Sequence, residues 1–362
     1  MKVLFLSDAA SSHTRKWLSG LKRRGLDVAL FSLTPNHDSF YEDLNIPLAA
    51  FSYNAKTSQL AHKLLYFKSL PTIRNMAATF SPDIVHAHYA SSYGLLGALS
   101  VKGTYCISVW GSDIYAYPKA GKLYRRLLEH TLGRANLIFS TSDDMVSETS
   151  LYTRNRIEVI PFGINLDVFP MRKESLKKGE SIRFSSAKSL KPIYNVHIVI
   201  SAFRNLLAHH PKVKMELHIA GDGPEKAKCE HAAGEELNKT IFFLGQVIPE
   251  NMPHFYRDKH VLVNIPETES FGVSILEASA SGLAIIATRA GGIPEVVKEG
   301  KTGLLLDMID EIKVSDAMNY FVTDIDRIRQ FGLNGRKYVE ENYDFEGCLD
   351  KQINQYQKLN GN

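Results

Sequence analysis

A chain of 362 residues is longer than one hydrophobic core usually supports, so two domains are expected. With 44% hydrophobic and 23% charged residues, the composition excludes a disordered or fibrous chain. The net charge of +4 is uneven: residues 1–180 carry 22 Lys and Arg against 15 Asp and Glu, and residues 181–362 carry 21 against 24. That modest excess, without a recognised motif, gives no reason to expect a nucleic-acid partner.

The chain opens "MKVLFLSDAA", too short an apolar run for a signal-peptide core, and no run reaches membrane-spanning length. Cys106, Cys229 and Cys348 are odd in number and far apart, giving neither a disulfide framework nor a zinc spacing. The expectation is a cytoplasmic protein, neither exported nor spanning.

In chain order, the first half alternates short apolar runs with longer amphipathic stretches: "KVLFLSD" (2–8), "VALFSL" (28–33), "DIVHAH" (83–88), "TYCISVW" (104–110), "LIFSTS" (137–142) and "IEVIPF" (157–162). Runs apolar on both faces, separated by helix-length segments, predict a parallel sheet covered by helices. No acid occurs between Leu44 and Pro82, where Lys56, Lys63, Lys68 and Arg74 sit. A second acid-free stretch carries Lys119, Lys122, Arg125 and Arg126. Each is either a solvated helix face or a contact for anionic lipid headgroups, as on the inner face of a membrane, or for an anionic acceptor.

After the Lys-rich segment 171–181, read as a linker, the pattern restarts with "IRFSSAK" (182–188), "KMELHIAG" (214–221), "TIFFLGQV" (240–247), "HVLVNIP" (260–266), "AIIATRA" (284–290) and "GLLL" (303–306). The expected organisation is α/β: a Rossmann-like domain over 1–170, a second over 182–342, and a C-terminal helix over 343–362 that packs back on the first. Ligands of such sheets bind beyond the carboxyl ends of the strands, and two such domains facing each other would enclose a cleft.

"PETESFGVSILEASASG" (266–282) runs from a strand end into a helix whose first turn is expected near Phe271 and Gly272. First-turn N–H groups have no partner within the helix and lie at the positive end of its dipole, which suits a phosphate. Glu269, beside that site, is repelled by phosphate and suits the neutral hydroxyls of a sugar. Glu277, two turns along, could reach ribose hydroxyls. Together these describe a nucleotide sugar. The plainer alternative is a Glu favoured by the helix dipole and an ordinary helix-surface Glu.

The segment "ESFGVSILEASASG" resembles the signature of the family-four retaining glycosyltransferases (glycosyl transferases group 1), which have the GT-B fold of two facing Rossmann-like domains. Further similar stretches follow in order along the chain: "DIVHAHYASSYG", "WGSDIY", "STSDDM", "VIPFGINLDVF", "IAGDGP", "FFLGQV" and "AGGIPEVVKEGKTGLLL". The resemblance implies that Glu269 binds hydroxyls of the transferred sugar and that the amides of Ser270, Phe271, Gly272 and Val273 hold the distal phosphate. It assigns the ribose to Glu277 and the base to the loop at Gly245, Gln246 and Val247. Gly291, Gly292 and Glu295 shape the pocket floor, or form a plain strand-to-helix turn with an N-terminal helix acid.

The departing diphosphate calls for cations. Similar enzymes supply an Arg and then a Lys after the first strand of the second domain, where this chain has Lys188 and Tyr194, with Lys191 nearby. A Lys lacks the planar fork of Arg. Where many relatives carry His before Gly-Ser-Asp this chain has Trp110, which suits stacking on a sugar face.

Ser11, Ser12, His13 and Arg15 stand where a glycine pair is common, and suit donor phosphate or acceptor; His13 is equally a helix-entry residue. Asp113 either orients the acceptor hydroxyl or caps the following helix. His88 ends its strand on the acceptor side, whereas His86 reads as structural.

The expected function is transfer, with retention, of a sugar from a nucleotide donor, by resemblance a UDP-sugar. The acceptor class is a hydroxyl of a lipid-linked or other glycan in surface polysaccharide synthesis. No cofactor and no metal are expected, since the lone Asp-x-Asp, Asp324 to Asp326, falls in an amphipathic region late in the chain. The alternatives are a sugar-nucleotide epimerase or hydrolase of the same architecture, and a non-catalytic scaffold that binds nucleotide sugar.

Overall fold

The computed structural model describes residues 1–36, 38–51, 66–172, 176–177 and 179–361. They form two compact units, 1–162 with 346–362, and 163–345. Lys56 and Lys63 of the first basic stretch, and residues 173–175 and 178 of the expected linker, lie outside the described residues.

In the first unit, β1 (Lys2–Leu6), β2 (Asp27–Ser32), β3 (Leu48–Ala50), β4 (Ile84–His88), β5 (Thr104–Ser108), β6 (Leu137–Ser140) and β7 (Ile157–Val159) form a sheet in the order β3-β2-β1-β4-β5-β6-β7. Every pairing is parallel. The apolar runs marked six of these strands. They missed β3, a three-residue, partly exposed edge strand too short to show a pattern. The central strands are buried on both faces, as in β4, because helices cover both sides.

In the second unit, β8 (Ile182–Ala187), β9 (Met215–Ala220), β10 (Ile241–Phe243), β11 (Val261–Asn264), β12 (Ala284–Thr288) and β13 (Gly303–Leu306) are ordered β10-β9-β8-β11-β12-β13, again all parallel. Its core joins Phe184, Leu217 and Val263 of the sheet to Phe203 and Phe321 of the covering helices.

The chain enters the second unit at Gly163 rather than near 170. Backbone pairing is the reason: the Ile164 N–H donates to the Tyr343 carbonyl (2.8 Å) and the Phe345 N–H to the Ile164 carbonyl (3.0 Å). Arg172, in the expected linker, also belongs here, its N–H donating to the Ser281 carbonyl (3.2 Å).

Residues 346–362 return to the first unit. There Glu346 and Asp350 pair with Arg24, both at 2.8 Å. The buried Tyr356 phenol is hydrogen-bonded to His86, whose other nitrogen meets Ser108 Oγ at 2.8 Å. His86 is thus a satisfied core histidine.

Each sheet changes direction of winding once. β1 lies between β2 and β4, and β8 between β9 and β11. Loops that leave neighbouring strands to opposite faces diverge at such a point and open a crevice at the carboxyl ends.

Candidate functional site

In the second unit that crevice is a cavity of about 530 Å³. The loop after β8 contributes Lys188, Ser189, Lys191 and Tyr194, and the end of β9 contributes Gly221 and Asp222. Beyond β10 lie Gln246 and Val247. The segment after β11 supplies Glu269 and the first turns of the helix Val273–Ala280, with Val273, Ser274 and Glu277.

Glu269 is ion-paired with Lys188, and both side chains are nearly buried, at 15% and 11% exposure. The Lys188 ammonium also stands 5.1 Å from the centre of the Tyr194 ring. Tyr194, at the place of an expected cation, therefore offers the existing cation an aromatic face.

The segment before the helix is held from behind. The Gly292 N–H donates to the Glu269 carbonyl (3.0 Å), and the Thr288 hydroxyl to the Pro266 carbonyl (2.6 Å). Gly272 caps the helix at φ +91°, a left-handed conformation that favours glycine, and a Cβ there would meet Ile275 at 3.3 Å. Phe271 is buried, its ring 5.6 Å from that of Tyr343. The first-turn N–H groups of Val273 and Ser274 have no acceptor within the helix.

Asn264, at the end of β11, ties two walls together. Its carbonyl accepts from Ser186 Oγ and the Ala187 N–H, both at 3.2 Å, while its amide donates to Ser274 Oγ at 3.0 Å. The loops after β8 and β9 touch through backbone: a Cβ on Gly221 (φ +154°) would lie 2.0 Å from the Lys188 carbonyl. Gly245 accepts the Gly221 N–H at 2.7 Å.

Lys188, Lys191, Gln246, Val247, Glu269, Val273 and Glu277 thus line one cavity. Gly245, Gly272 and Gly292 act on its walls through backbone, and Gly291 (φ +52°) forms the turn before Gly292. Ser270 precedes the helix and is partly buried. Glu295 is not among the lining residues; it sits in the short helix Ile293–Val296, where its carbonyl accepts from the phenols of Tyr338 (2.7 Å) and Tyr343 (2.8 Å). The sequence reading missed Ser189, Asp222, Ser274 and the buried Tyr256; Asp222 lies in "IAGDGP" and Ser274 in "ESFGVSILEASASG", but nothing local singled out either residue.

In the first unit, the end of β4 and the segments after β1, β5 and β7 gather aromatic rings. His13 stacks on Phe162 (4.2 Å between ring centres), and Trp110 contacts His13 (5.8 Å), His88 (4.6 Å) and Phe162 (5.5 Å). His88 Nδ1 is 2.9 Å from Ser7 Oγ, which in turn meets Thr14 Oγ1 at 2.7 Å. Burial pushes the imidazoles of both His13 and His88 down to about 3, so they are neutral near pH 7.

Ser11 and Arg15 are turned to local structure. Ser11 Oγ caps the helix Ser12–Arg23 by accepting the Thr14 N–H (3.5 Å), and Arg15 pairs with Asp38 (2.6 Å). Ser12 is exposed on the first turn.

Asp113, for which the sequence leaves both an acceptor-orienting and a helix-capping role open, lies inside the fold. It is fully buried, and its carboxylate accepts the N–H groups of Ala90 (2.8 Å), Gly111 (2.8 Å) and Trp110 (3.2 Å). Burial pushes its carboxyl above the usual range, opposed by those bonds. It organises the loop that presents Trp110. The Asp-x-Asp string is likewise structural: Asp324 pairs with Arg327 (3.2 Å) and accepts the Asp326 N–H (3.2 Å) where the helix Asp326–Asn342 begins.

Two parallel α/β units define the class. Over 99% of both chains the structure matches that of sucrose-phosphate synthase from Thermosynechococcus elongatus, with a TM-score of 0.83 and 17% identity. It matches Anabaena HepE, solved in complex with UDP and glucose, over 99% of both chains with a TM-score of 0.78 and 17% identity. This is the GT-B fold.

Residues 167–338 match the family described as Glycosyl transferases group 1, and residues 2–142 match Glycosyl transferase 4-like. The chain is also 28% identical over 357 residues to the N-acetyl-alpha-D-glucosaminyl L-malate synthase of Bacillus anthracis, covering 92% of this chain and 86% of that protein. The chain belongs to the group 1 glycosyltransferases, and it is an enzyme of that class.

Proposed function

We propose that the chain transfers a hexose or N-acetylhexosamine, with retention, from a UDP-sugar to a hydroxyl of a lipid-linked or other glycan in surface polysaccharide synthesis. One observation carries this: a single cavity collects two lysines, two glutamates and a helix N-terminus, the kinds of group that a sugar, a diphosphate and a ribose require. Glu269 takes the sugar hydroxyls. Lys188, Lys191 and the Val273 N–H take the diphosphate, Glu277 the ribose, and Gln246 with Val247 the base.

In the free protein Glu269 and Lys188 neutralise each other. A diphosphate draws Lys188 to itself and frees Glu269 for the sugar, so neither charge is left buried and alone. The bond from the anomeric carbon to the phosphate oxygen breaks as that from the acceptor oxygen forms, on the same face, and the departing phosphate oxygen takes the acceptor proton. No protein nucleophile enters. Lys188 and the helix N-terminus stabilise the leaving charge, a role a divalent metal otherwise fills.

The UDP reading is supported by the ligands of Anabaena HepE, and the N-acetylhexosamine reading by the name of the Bacillus relative. Contact with an anionic membrane is part of the proposal. The helix Lys122–Gly133 carries Lys122 and Arg126 beside Leu123, which is 67% exposed. Leucine in water flanked by cations suits a lipid surface.

The test is a thermal-shift screen of UDP-, GDP- and ADP-sugars, followed by product analysis with and without acceptor, each with and without EDTA. Stabilisation by a UDP-sugar in the wild type but not in Glu269→Ala is expected, with nucleoside diphosphate released only when acceptor is present. Release without acceptor would favour a hydrolase, and binding without any release a scaffold.

A further inference from the structure

Resting on the reading of Glu277 as the ribose ligand, we infer that Tyr256 is a positioning residue that aims the Glu277 carboxylate at the ribose diol of the donor. Tyr256 lies in the helix Met252–Arg257 and is fully buried. Its ring packs between Phe255 (5.2 Å between centres) and Phe169 (6.3 Å). Its hydroxyl is 3.2 Å from Glu277 Oε2 and 3.2 Å from the Ser274 carbonyl oxygen.

Ser274 and Glu277 are three residues apart on the helix Val273–Ala280, hence on one face, and both line the cavity. The phenol therefore reaches the cavity's ligating carboxylate from behind, while nothing of the tyrosine is exposed. Its proton stays in place: burial, then the adjacent Glu277 charge, pushes the phenol well above its ordinary value. A donor that cannot ionise, 3.2 Å from Oε2, sets the direction in which the Glu277 carboxylate meets vicinal hydroxyls. Without it the carboxylate loses that restraint, and each bound ribose must supply the ordering instead.

The experiment measures binding of UDP, GDP and ADP, each paired with its 2′,3′-dideoxy analogue, by calorimetry. The wild type is expected to prefer the natural nucleotide of the pair that binds. Tyr256→Phe, which keeps the ring and its packing, weakens that nucleotide about tenfold and leaves the dideoxy analogue within about twofold. In turnover, the same variant raises the donor KM with kcat within about twofold.

Glu277→Asp withdraws the carboxylate from an intact Tyr256 and loses the same preference, which covers a Tyr256→Phe that folds poorly. The double variant adds little beyond either single change. If the wild type discriminates and Tyr256→Phe discriminates equally, or weakens both nucleotides alike, the inference falls alone. If the wild type itself shows no preference for ribose, or no nucleotide binds, the ribose reading of Glu277 falls and takes the inference with it.

Discussion

The two strand-end sites of this chain use their polar residues in opposite ways. In the second unit Lys188 and Glu269 are paired in a cavity, and Lys191 and Glu277 line the same space. In the first unit the comparable residues are already spent: Asp113 is buried on three N–H groups, Arg15 is paired with Asp38, and His13 and His88 are held neutral among aromatic rings. The second unit keeps its charges at the cavity wall, whereas the first uses its own to fix the loops.

The sharpest way to break this contrast is to remove the cation. Lys188→Ala is expected to lower kcat about 1000-fold, equivalent to roughly 4 kcal/mol of leaving-group stabilisation, with the protein still folded. An effect under tenfold would show that the cavity does not stabilise the diphosphate through Lys188. Asp113→Ala should instead act on stability. Three buried N–H groups lose their acceptor, and denaturant unfolding should show a loss of about 3 kcal/mol, while donor binding stays unchanged.

The histidines sharpen the contrast through pH. An imidazole held near 3 in the folded chain takes up its proton at about 6.5 when unfolded. The unfolded state binds more protons between these values, so stability is full above about pH 6.5 and falls as pH drops toward 3. His88→Gln should flatten the dependence of the unfolding free energy on pH in that window, by up to about 1.4 kcal/mol per pH unit. An unchanged slope would mean that His88 is not held neutral.

The smallest expected effect is at the membrane. Lys122→Glu with Arg126→Glu should weaken sedimentation with phosphatidylserine vesicles, by about 1 kcal/mol for each cation lost, and leave nucleotide binding as it was. Equal sedimentation of wild type and variant would remove this helix from the proposal.

How much could be read in advance follows from the range of each interaction. The strands were legible because a buried parallel strand writes an uninterrupted apolar run; β3, three residues long with none buried, writes none. Glu269, Glu277 and the helix start between them were legible because one strand-to-helix turn holds all three. Lys188 could be placed near the cavity, but its pairing with a glutamate 81 positions away could not. Tyr256 stands in an ordinary-looking "HFYRD", and Asp113 in a loop that served a capping reading as well as a catalytic one.

By itself, then, the order of residues determined two parallel sheets, the position of the helix that begins at Val273 and the family to which the chain belongs. These rest on periodicity and short motifs, where the physics acts over a few neighbouring residues. Only the tertiary structure decided which charges meet, which acid is buried as a loop support, and which phenol stands behind a cavity-lining carboxylate. Those outcomes depend on separate strands converging at a switch point, and burial at that convergence sets the charge and partner of every group there.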